Sequence, residues 1–321
     1  MTRDLKFDGL KFLMVFFVVL AHMKFNSYGI EIHNMIYSFH IPVFVFLSGY
    51  FTSINSSKKK RLSWLKRTIF LFVCAHLAHL FLSYILGNPF KWKYIITPGF
   101  TLWYLLSLIY WRFFIWKLTE NAKGSIMLVA SFLLIIVCGF VPLKEELSFQ
   151  RTFAFLPFFI LGFLFKKNHL MKKIERVPIW VSIVVVIMGL LAACFLPIYV
   201  PNLYYYSWKE APIRLLLTFQ GIILCLSIIR LSRICFLEYF SRFGQYTLWI
   251  YIGHSYLIVI GEKVILQYGL SLNVFQALII AFIYCALFIL IAKMYENRKD
   301  NNINQCLSSN SFRLPSDDAS D

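Results

Sequence analysis

One long apolar run follows another along this chain, from about residue 9 to about residue 294. A helix that crosses a bilayer needs roughly 20 mostly apolar residues. Runs of this kind, separated by short polar or charged stretches, lie at approximately 9–27, 34–53, 67–87, 99–117, 125–142, 151–167, 178–197, 212–231, 245–266 and 273–294. The pattern predicts an all-α fold, a polytopic membrane helical bundle of about ten transmembrane helices.

The composition favours the same class. Only 15% of the 321 residues are charged, whereas a soluble domain carries about a quarter. The net charge of +17 comes from basic residues clustered in short stretches between the apolar runs. That arrangement is typical of membrane proteins and not of nucleic-acid binding. The chain is therefore predicted to be a multi-pass protein of the inner (cytoplasmic) cell membrane, in contact with lipid and without a nucleic-acid partner.

The basic residues also predict the orientation, because Lys and Arg concentrate in cytoplasmic loops. The two termini and one set of loops, including 56–67 and 166–176, hold 22 Lys and Arg residues, and the opposite loops hold seven. Both termini are therefore predicted to be cytoplasmic. Residues 1–295 are assigned to the membrane domain and 296–321, which are polar, to a disordered cytoplasmic tail.

Two ionisable residues lie in the first apolar run, where such groups are costly and mark functional candidates. Lys11 opens the run and His22 closes it, eleven residues later. At about 100° per residue they share one helix face, about 16 Å apart along the axis. A purely structural interpretation is also open, with a lysine that reaches the surface and a histidine satisfied by a neighbouring helix.

Other runs also contain polar residues, and His40 lies at a depth similar to that of His22. His40 is near the outer end of the second run, and His254 lies within the ninth. Ser48 and Gly49 are near the cytoplasmic end of the second run, where a glycine would let a ligand approach the backbone.

Metal binding is not favoured by the sequence. His76 and His79 are three residues apart in the third run, but no carboxylate accompanies them. The seven cysteines show no metal-binding spacing.

Several segments together resemble the integral-membrane acyltransferase-3 family, and within it the fucose 4-O-acetylase-like sugar O-acetyltransferases. They are FDGLKFLMVFFVVLAH (7–22), SFHIPVFVFLSGYF (38–51), LWYLLSLI (102–109), FLPFFILGFLFKK (155–167) and TLWIYIGHSYLI (247–258). These matches follow the family order over most of residues 4–260. One departure is Trp64, which stands where the family often has an arginine of an R-x-x-R motif at the mouth of the third span.

The resemblance implies transfer of an acetyl or similar acyl group from cytoplasmic acetyl-CoA to a hydroxyl of a sugar or cell-envelope glycan, including a lipid-linked one. No metal is implied. The residues that it marks are His22 and His40 for catalysis, Lys11, Ser48, Gly49, Lys66 and Arg67 for the donor, and Trp103, His254 and Glu210 for the acceptor.

Alternatives stay open on the sequence alone. His22 could act as a general base or carry the acyl group itself. Trp103 could stack on a sugar or belong to an interfacial aromatic belt, and the aromatic loop 202–210, which ends at Glu210, could bind carbohydrate or anchor at the interface. A transporter of a lipid-linked sugar or small solute and a non-catalytic assembly partner are the competing functions.

The predicted orientation can be tested with an alkaline phosphatase reporter, which is active only outside the cytoplasm. A fusion within 56–67 should be inactive and one within 201–212 should be active, because the first loop is rich in basic residues and the second is not. The reverse pattern would contradict cytoplasmic termini.

Overall fold

The computed structural model describes residues 4–23, 30–53, 55–99, 101–118, 123–143, 145–195, 206–234, 237–269 and 272–311. These residues form helices and turns without a β-strand, which confirms the all-α class. The α-helices are α1 (Leu5–Ala21), α2 (Ile30–Tyr50), α3 (Lys58–Ile85), α4 (Lys93–Ile96), α5 (Trp103–Leu118), α6 (Gly124–Cys138), α7 (Phe149–Lys167), α8 (Met171–Glu175), α9 (Ile179–Phe195), α10 (Ala211–Ser232), α11 (Thr247–Tyr268) and α12 (Val274–Ser311). Short 3₁₀ helices include Glu146–Ser148, Trp208–Glu210 and Leu237–Tyr246.

Each predicted span overlaps one of the longer α-helices among the described residues. Four helical stretches in these parts of the chain are long and apolar enough to cross a bilayer, namely Lys58–Ile85, Glu146–Lys167, Trp208–Ser232 and Val274–Arg298. A membrane-crossing role for the remaining long helices stays a prediction, as does the cytoplasmic location of the termini.

The last helix extends into the segment that the sequence assigned to a disordered tail. No glycine or proline interrupts the chain between Val274 and Ser311, and α12 continues to Ser311. Residues 296–311 are therefore helical here, while 312–321 lie outside the described residues, as do residues 202–205 of the predicted aromatic loop.

Ion pairs tie several helix starts and ends together at one end of the bundle. Asp4 caps α1 and accepts hydrogen bonds of 2.9 and 3.0 Å from Arg233, which follows α10. Arg233 also donates to Glu175 at the end of α8 (3.0 Å), and Lys6 pairs with Glu238 at 3.6 Å. Burial disfavours the charged guanidinium, but the two carboxylates more than offset this and raise the pKa of Arg233 above its ordinary value. We call this end of the bundle the basic end.

A buried amide organises the opposite end. The Gln150 side chain, in the first turn of α7, donates to the carbonyl oxygens of Cys138 (3.1 Å) and Tyr206 (2.9 Å). Its own oxygen accepts from the Tyr206 backbone N–H, and the Tyr206 hydroxyl donates to the carbonyl of Ile135 at 2.6 Å. The end of α6, the start of α7 and the segment before α10 are thereby joined.

Two glycines allow α2 and α7 to pack with their backbones in direct contact at the centre of the bundle. A Cβ on Gly49 would overlap the carbonyl oxygen of Phe159, and one on Gly162 would overlap that of Phe46. Gly49 therefore admits a neighbouring helix, and not the donor that the sequence interpretation placed against its backbone.

The first helix packs equally closely on the 3₁₀ helix Leu237–Tyr246. A Cβ on Gly9 would overlap the carbonyl of Leu237, and one on Gly244 would lie 2.5 Å from the carbonyl oxygen of Asp8. The ring of Phe12 packs against this helix at Phe243, with ring centroids 5.2 Å apart. Since α11 follows directly, this contact sets the position of α11 beside α1.

Peripheral helices expose large apolar side chains. Examples are Phe70 and Phe81 on α3, Phe195 on α9 and Phe282 on α12. Exposed apolar surface of this extent is unfavourable in water, and it suits contact with lipid tails.

The contact between α2 and α7 makes Gly162→Ala strongly destabilising. The added methyl group must push apart two backbones, and overpacking of a core costs about 1–3 kcal/mol or more. The thermal unfolding midpoint of the purified protein in detergent should fall by several degrees. Gly261→Ala is the matched control, because its Cβ would meet only the Tyr284 hydroxyl at an ordinary 3.6 Å. Equal midpoints for the two variants would contradict this packing.

Candidate active site

Three histidines meet where α1, α2 and α11 come together. His22 is the C-cap of α1, and its ring centroid lies 5.6 Å from that of His254 on α11. The Tyr37 ring on α2 lies 6.1 Å from the His22 ring and 5.1 Å from that of His40. The structure thus brings together His22, His40 and His254, as the sequence interpretation grouped them, and adds Tyr37. We call these four residues the histidine cluster.

Each histidine of the cluster is anchored in the same way. Its Nδ1 lies 2.6–3.0 Å from the carbonyl oxygen four residues earlier in its own helix. A carbonyl oxygen can only accept a hydrogen bond, so Nδ1 carries the proton in all three rings. In the neutral ring, the basic lone pair is then on Nε2.

Exposure distinguishes His22 from the other two histidines. His22 is partly exposed, whereas His40 and His254 have no exposed surface. The Nε2 atoms of His40 and His254 are buried and have no hydrogen-bond partner among the described residues. His22 is thus the most accessible residue of the three, and the buried His254 ring lies beside it; the contact of His254 with an acceptor stays a prediction.

A cation near the opposite end of the bundle packs on Trp103. This cation is Arg151, in the first turn of α7. Its guanidinium lies 5.3 Å from the ring centroid of Trp103. Trp103 also stacks on Phe155 (5.5 Å) and is 9% exposed, which leaves little ring surface for the predicted stacking on a sugar.

A row of hydroxyl groups adjoins the cluster on the side of the basic end. The Ser48 hydroxyl on α2 is hydrogen-bonded to the Tyr104 hydroxyl on α5. The Tyr104 ring lies 5.5 Å from that of Tyr251, whose hydroxyl donates to the carbonyl of Thr101. The Tyr251 ring is in turn 6.0 Å from that of His254. Ser48 thus belongs to a polar row that ends at the histidines.

Lys11 is held by an acid and an aromatic ring. Its Nζ lies 3.0 Å from the Asp8 carboxylate and 3.7 Å from the ring centroid of Phe51, which follows α2. His22 also faces α2, at Tyr37. Lys11 thus meets the residue that follows α2, and the His22 ring lies near Tyr37 on α2 and His254 on α11; the shared helix face stays a prediction.

A second cationic group at the basic end lies between α3 and α5. The Arg112 guanidinium is 4.2 Å from the ring centroid of Trp64, and that of Arg61 is 5.8 Å from the ring of Trp116. The two tryptophan rings meet edge to face at 5.6 Å. The Arg112 Nε is buried without a hydrogen-bond partner among the described residues. We call Arg61, Trp64, Arg112 and Trp116 the arginine–tryptophan cage.

Other predicted residues have different surroundings. Lys66 and Arg67 follow Trp64 on α3 with exposed side chains. Glu210 accepts hydrogen bonds from the backbone N–H and the hydroxyl of Ser207, which closes a capping box before α10. The Glu210 carboxylate therefore has a role in the local fold, and its predicted contact with the sugar acceptor stays a prediction.

The structure gives a local role to His76. Its Nδ1 accepts from the backbone N–H of Gly99 (3.3 Å), and its Nε2 donates to the carbonyl of Ile95 (3.2 Å). Within the described residues, no three His, Cys, Asp or Glu side chains are grouped to hold a metal ion.

The fold and the site define an all-helical membrane protein with a partly exposed histidine between two polar ends. A family model described as an acyltransferase domain matches residues 4–294, nearly the whole chain. The chain therefore belongs to the acyltransferase-3 family, which supports a multi-pass membrane protein with acyltransferase activity. No curated protein and no solved structure matches it significantly.

Several residues of the site were not found from the sequence. Tyr37, Tyr104 and Tyr251 carry no distinctive spacing in a chain that is 19% aromatic. Arg112 and Arg151 were not predicted as site residues and contributed only to the net charge. An arginine inside an apolar run is nevertheless itself a signal for a functional group.

The difference in exposure predicts selective modification by diethyl pyrocarbonate, which reacts with accessible imidazole nitrogens. Peptide mass spectrometry of the detergent-solubilised protein should show fast modification of His22 and slow modification of His40 and His254. The buried pair reacts only through local opening of the bundle. The exposed His169 is an internal control that should react fully. Equal rates at His22 and His40 would contradict this arrangement.

Proposed function

We propose that the protein is a membrane O-acetyltransferase that moves an acetyl group from cytoplasmic acetyl-CoA to a sugar hydroxyl of a cell-envelope glycan. One observation carries the proposal. In a chain of the acyltransferase-3 family, His22 is a partly exposed residue at the end of α1, and its Nδ1 is fixed by the Val18 carbonyl at 2.6 Å. Its Nε2 is then the atom that can accept a proton from a hydroxyl group.

The basic end offers contacts for the donor. Coenzyme A carries phosphates and an adenine ring, for which guanidinium groups and tryptophan faces are the preferred partners. The arginine–tryptophan cage supplies both, and the buried Arg112 Nε has a hydrogen-bond donor to offer. The exposed Lys58, Lys59 and Lys60 precede Arg61 on α3 and add positive charge. These groups take the place that the sequence interpretation gave to Lys66 and Arg67.

The hydroxyl row gives the donor arm a polar path toward the histidines. Ser48 and Tyr104 lie on the side of the basic end, and Tyr251 connects them to His254. Hydroxyl groups can donate to the amide carbonyls of the pantetheine arm and accept from its N–H groups. This path supports placing the thioester beside His22.

The proposed transfer moves one acetyl group to the acceptor and one proton to the leaving thiolate. The acceptor oxygen bonds to the thioester carbonyl carbon while His22 Nε2 takes the hydroxyl proton. The carbon–sulfur bond then breaks, and the thiolate leaves with that proton from the imidazolium. In the alternative, Nε2 itself attacks and carries the acetyl group before the acceptor takes it.

His22→Gln should lower acetyl transfer roughly 10²–10⁴-fold, the usual contribution of a general base. The assay follows labelled acetyl-CoA in membranes and the ester-linked acetyl mass on envelope glycans. His169→Gln, at an exposed histidine after α7, is the matched control and should retain activity. Wild-type transfer by His22→Gln at normal membrane levels would exclude a catalytic role for His22.

The two chemistries differ in a partial reaction. If His22 carries the acetyl group, wild-type enzyme without acceptor should exchange labelled CoA into acetyl-CoA, because the acyl-enzyme forms reversibly. If His22 acts as a base, no exchange should occur before acceptor is added. The same membranes serve both measurements.

A further inference from the structure

A pocket of about 430 Å³ opens at the opposite end of the bundle, outside the histidine cluster. It lies between the end of α3, the segment around α4 and the start of α7. Its polar and aromatic lining includes His79, Tyr94, Thr97, Glu145 and Arg151. We propose that this pocket binds one neutral sugar ring of the acceptor. The proposal rests on the proposed function and adds to it the place and the charge class of the acceptor.

The wall of the pocket is built firmly. The backbone of Gly99 packs so closely on the His79 ring that a Cβ there would overlap it. His76, one turn earlier on α3, bonds to both Gly99 and Ile95. The two histidines of α3 thus hold the segment 95–99 in place, which accounts for a pair that has no part in the transfer step. A fixed wall is what a binding pocket requires.

The lining suits a neutral polyol. Among the described lining residues, Glu145 and Arg151 contribute one charge of each sign, so these residues offer no excess charge to an anion. The Thr97 Oγ1 and His79 Nδ1 atoms are buried without a hydrogen-bond partner among the described residues. The Tyr94 ring and two prolines, Pro89 and Pro98, add flat apolar surface against which a sugar ring can lie. The volume falls within the range of about 300–1,000 Å³ that is common for small-molecule sites.

The pocket adjoins the segment that leads to the histidine cluster. Arg151 lines the pocket, and its guanidinium lies 5.3 Å from the ring centroid of Trp103, at the start of α5. The chain that leaves the pocket at Gly99 reaches Thr101, whose carbonyl accepts from Tyr251 beside His254. A sugar held here would present a hydroxyl toward His22 from the side opposite to the arginine–tryptophan cage, so donor and acceptor need not share an entrance.

Binding can be measured separately from activity by thermal unfolding of the purified full chain in detergent. The probes are methyl glycosides of neutral hexoses and of hexuronic acids, each at high millimolar concentration. A ligand that binds the folded state raises the unfolding midpoint. At least one neutral glycoside should raise it by about 2 °C or more in the wild-type protein. Thr97→Val, which keeps the shape but removes the hydroxyl, and Tyr94→Ala should each lose most of that shift.

Trp92→Ala is the matched control. Trp92 is a neighbouring aromatic residue that is 79% exposed and does not line the pocket, so the shift should stay. The proposal is overturned if no neutral glycoside shifts the wild-type midpoint, if only hexuronosides do, or if both pocket variants keep the full shift. Loss of acetyl transfer in His22→Gln tests the proposed function on its own. Transfer that depends on His22 without any glycoside shift would reject the pocket and leave the enzyme assignment intact.

Discussion

The hydrogen bond from a polar side chain to the carbonyl four residues earlier is the interaction on which this site depends. His22, His40 and His254 all make it, and Ser48 and Thr152 do the same. In a bilayer each polar group must find a partner within the protein. A partner in its own helix lets a histidine sit in an apolar bundle without a dedicated neighbour. It also fixes the proton on Nδ1 and leaves Nε2 for chemistry.

Helix packing then decides which of these groups meet. The backbones of α2 and α7 touch through Gly49 and Gly162, and α1 lies on the 3₁₀ helix before α11 through Gly9 and Gly244. These close approaches bring α1, α2 and α11 together and so gather His22, His40 and His254. They also leave His22 at the end of α1, partly exposed, while the other two histidines are buried. The difference in exposure therefore follows from where each helix ends or continues.

Much of the architecture could be predicted because apolar length and charge bias are local properties of the chain. The all-α class and the positions of the longer helices were predicted well. Gly49 and Trp103 show why site residues are harder. A glycine that admits a ligand and one that admits a helix look alike in sequence, and a tryptophan gives no sign of whether Phe155 will cover it. Arg112 and Arg151 were missed because their partners lie on other helices.

The sequence by itself determined the helices and their apolar lengths, and it showed the asymmetry of basic residues. It also showed which histidines lie in apolar runs. Each of these features depends on residues that are close together in the chain. The tertiary structure alone decided that His254 lies against His22, that Arg112 packs on Trp64, and that Arg151 both lines the pocket and packs on Trp103. These contacts join helices that are far apart in sequence. They depend on which helix faces can approach, and that is set by side-chain volume and backbone contact at the glycines.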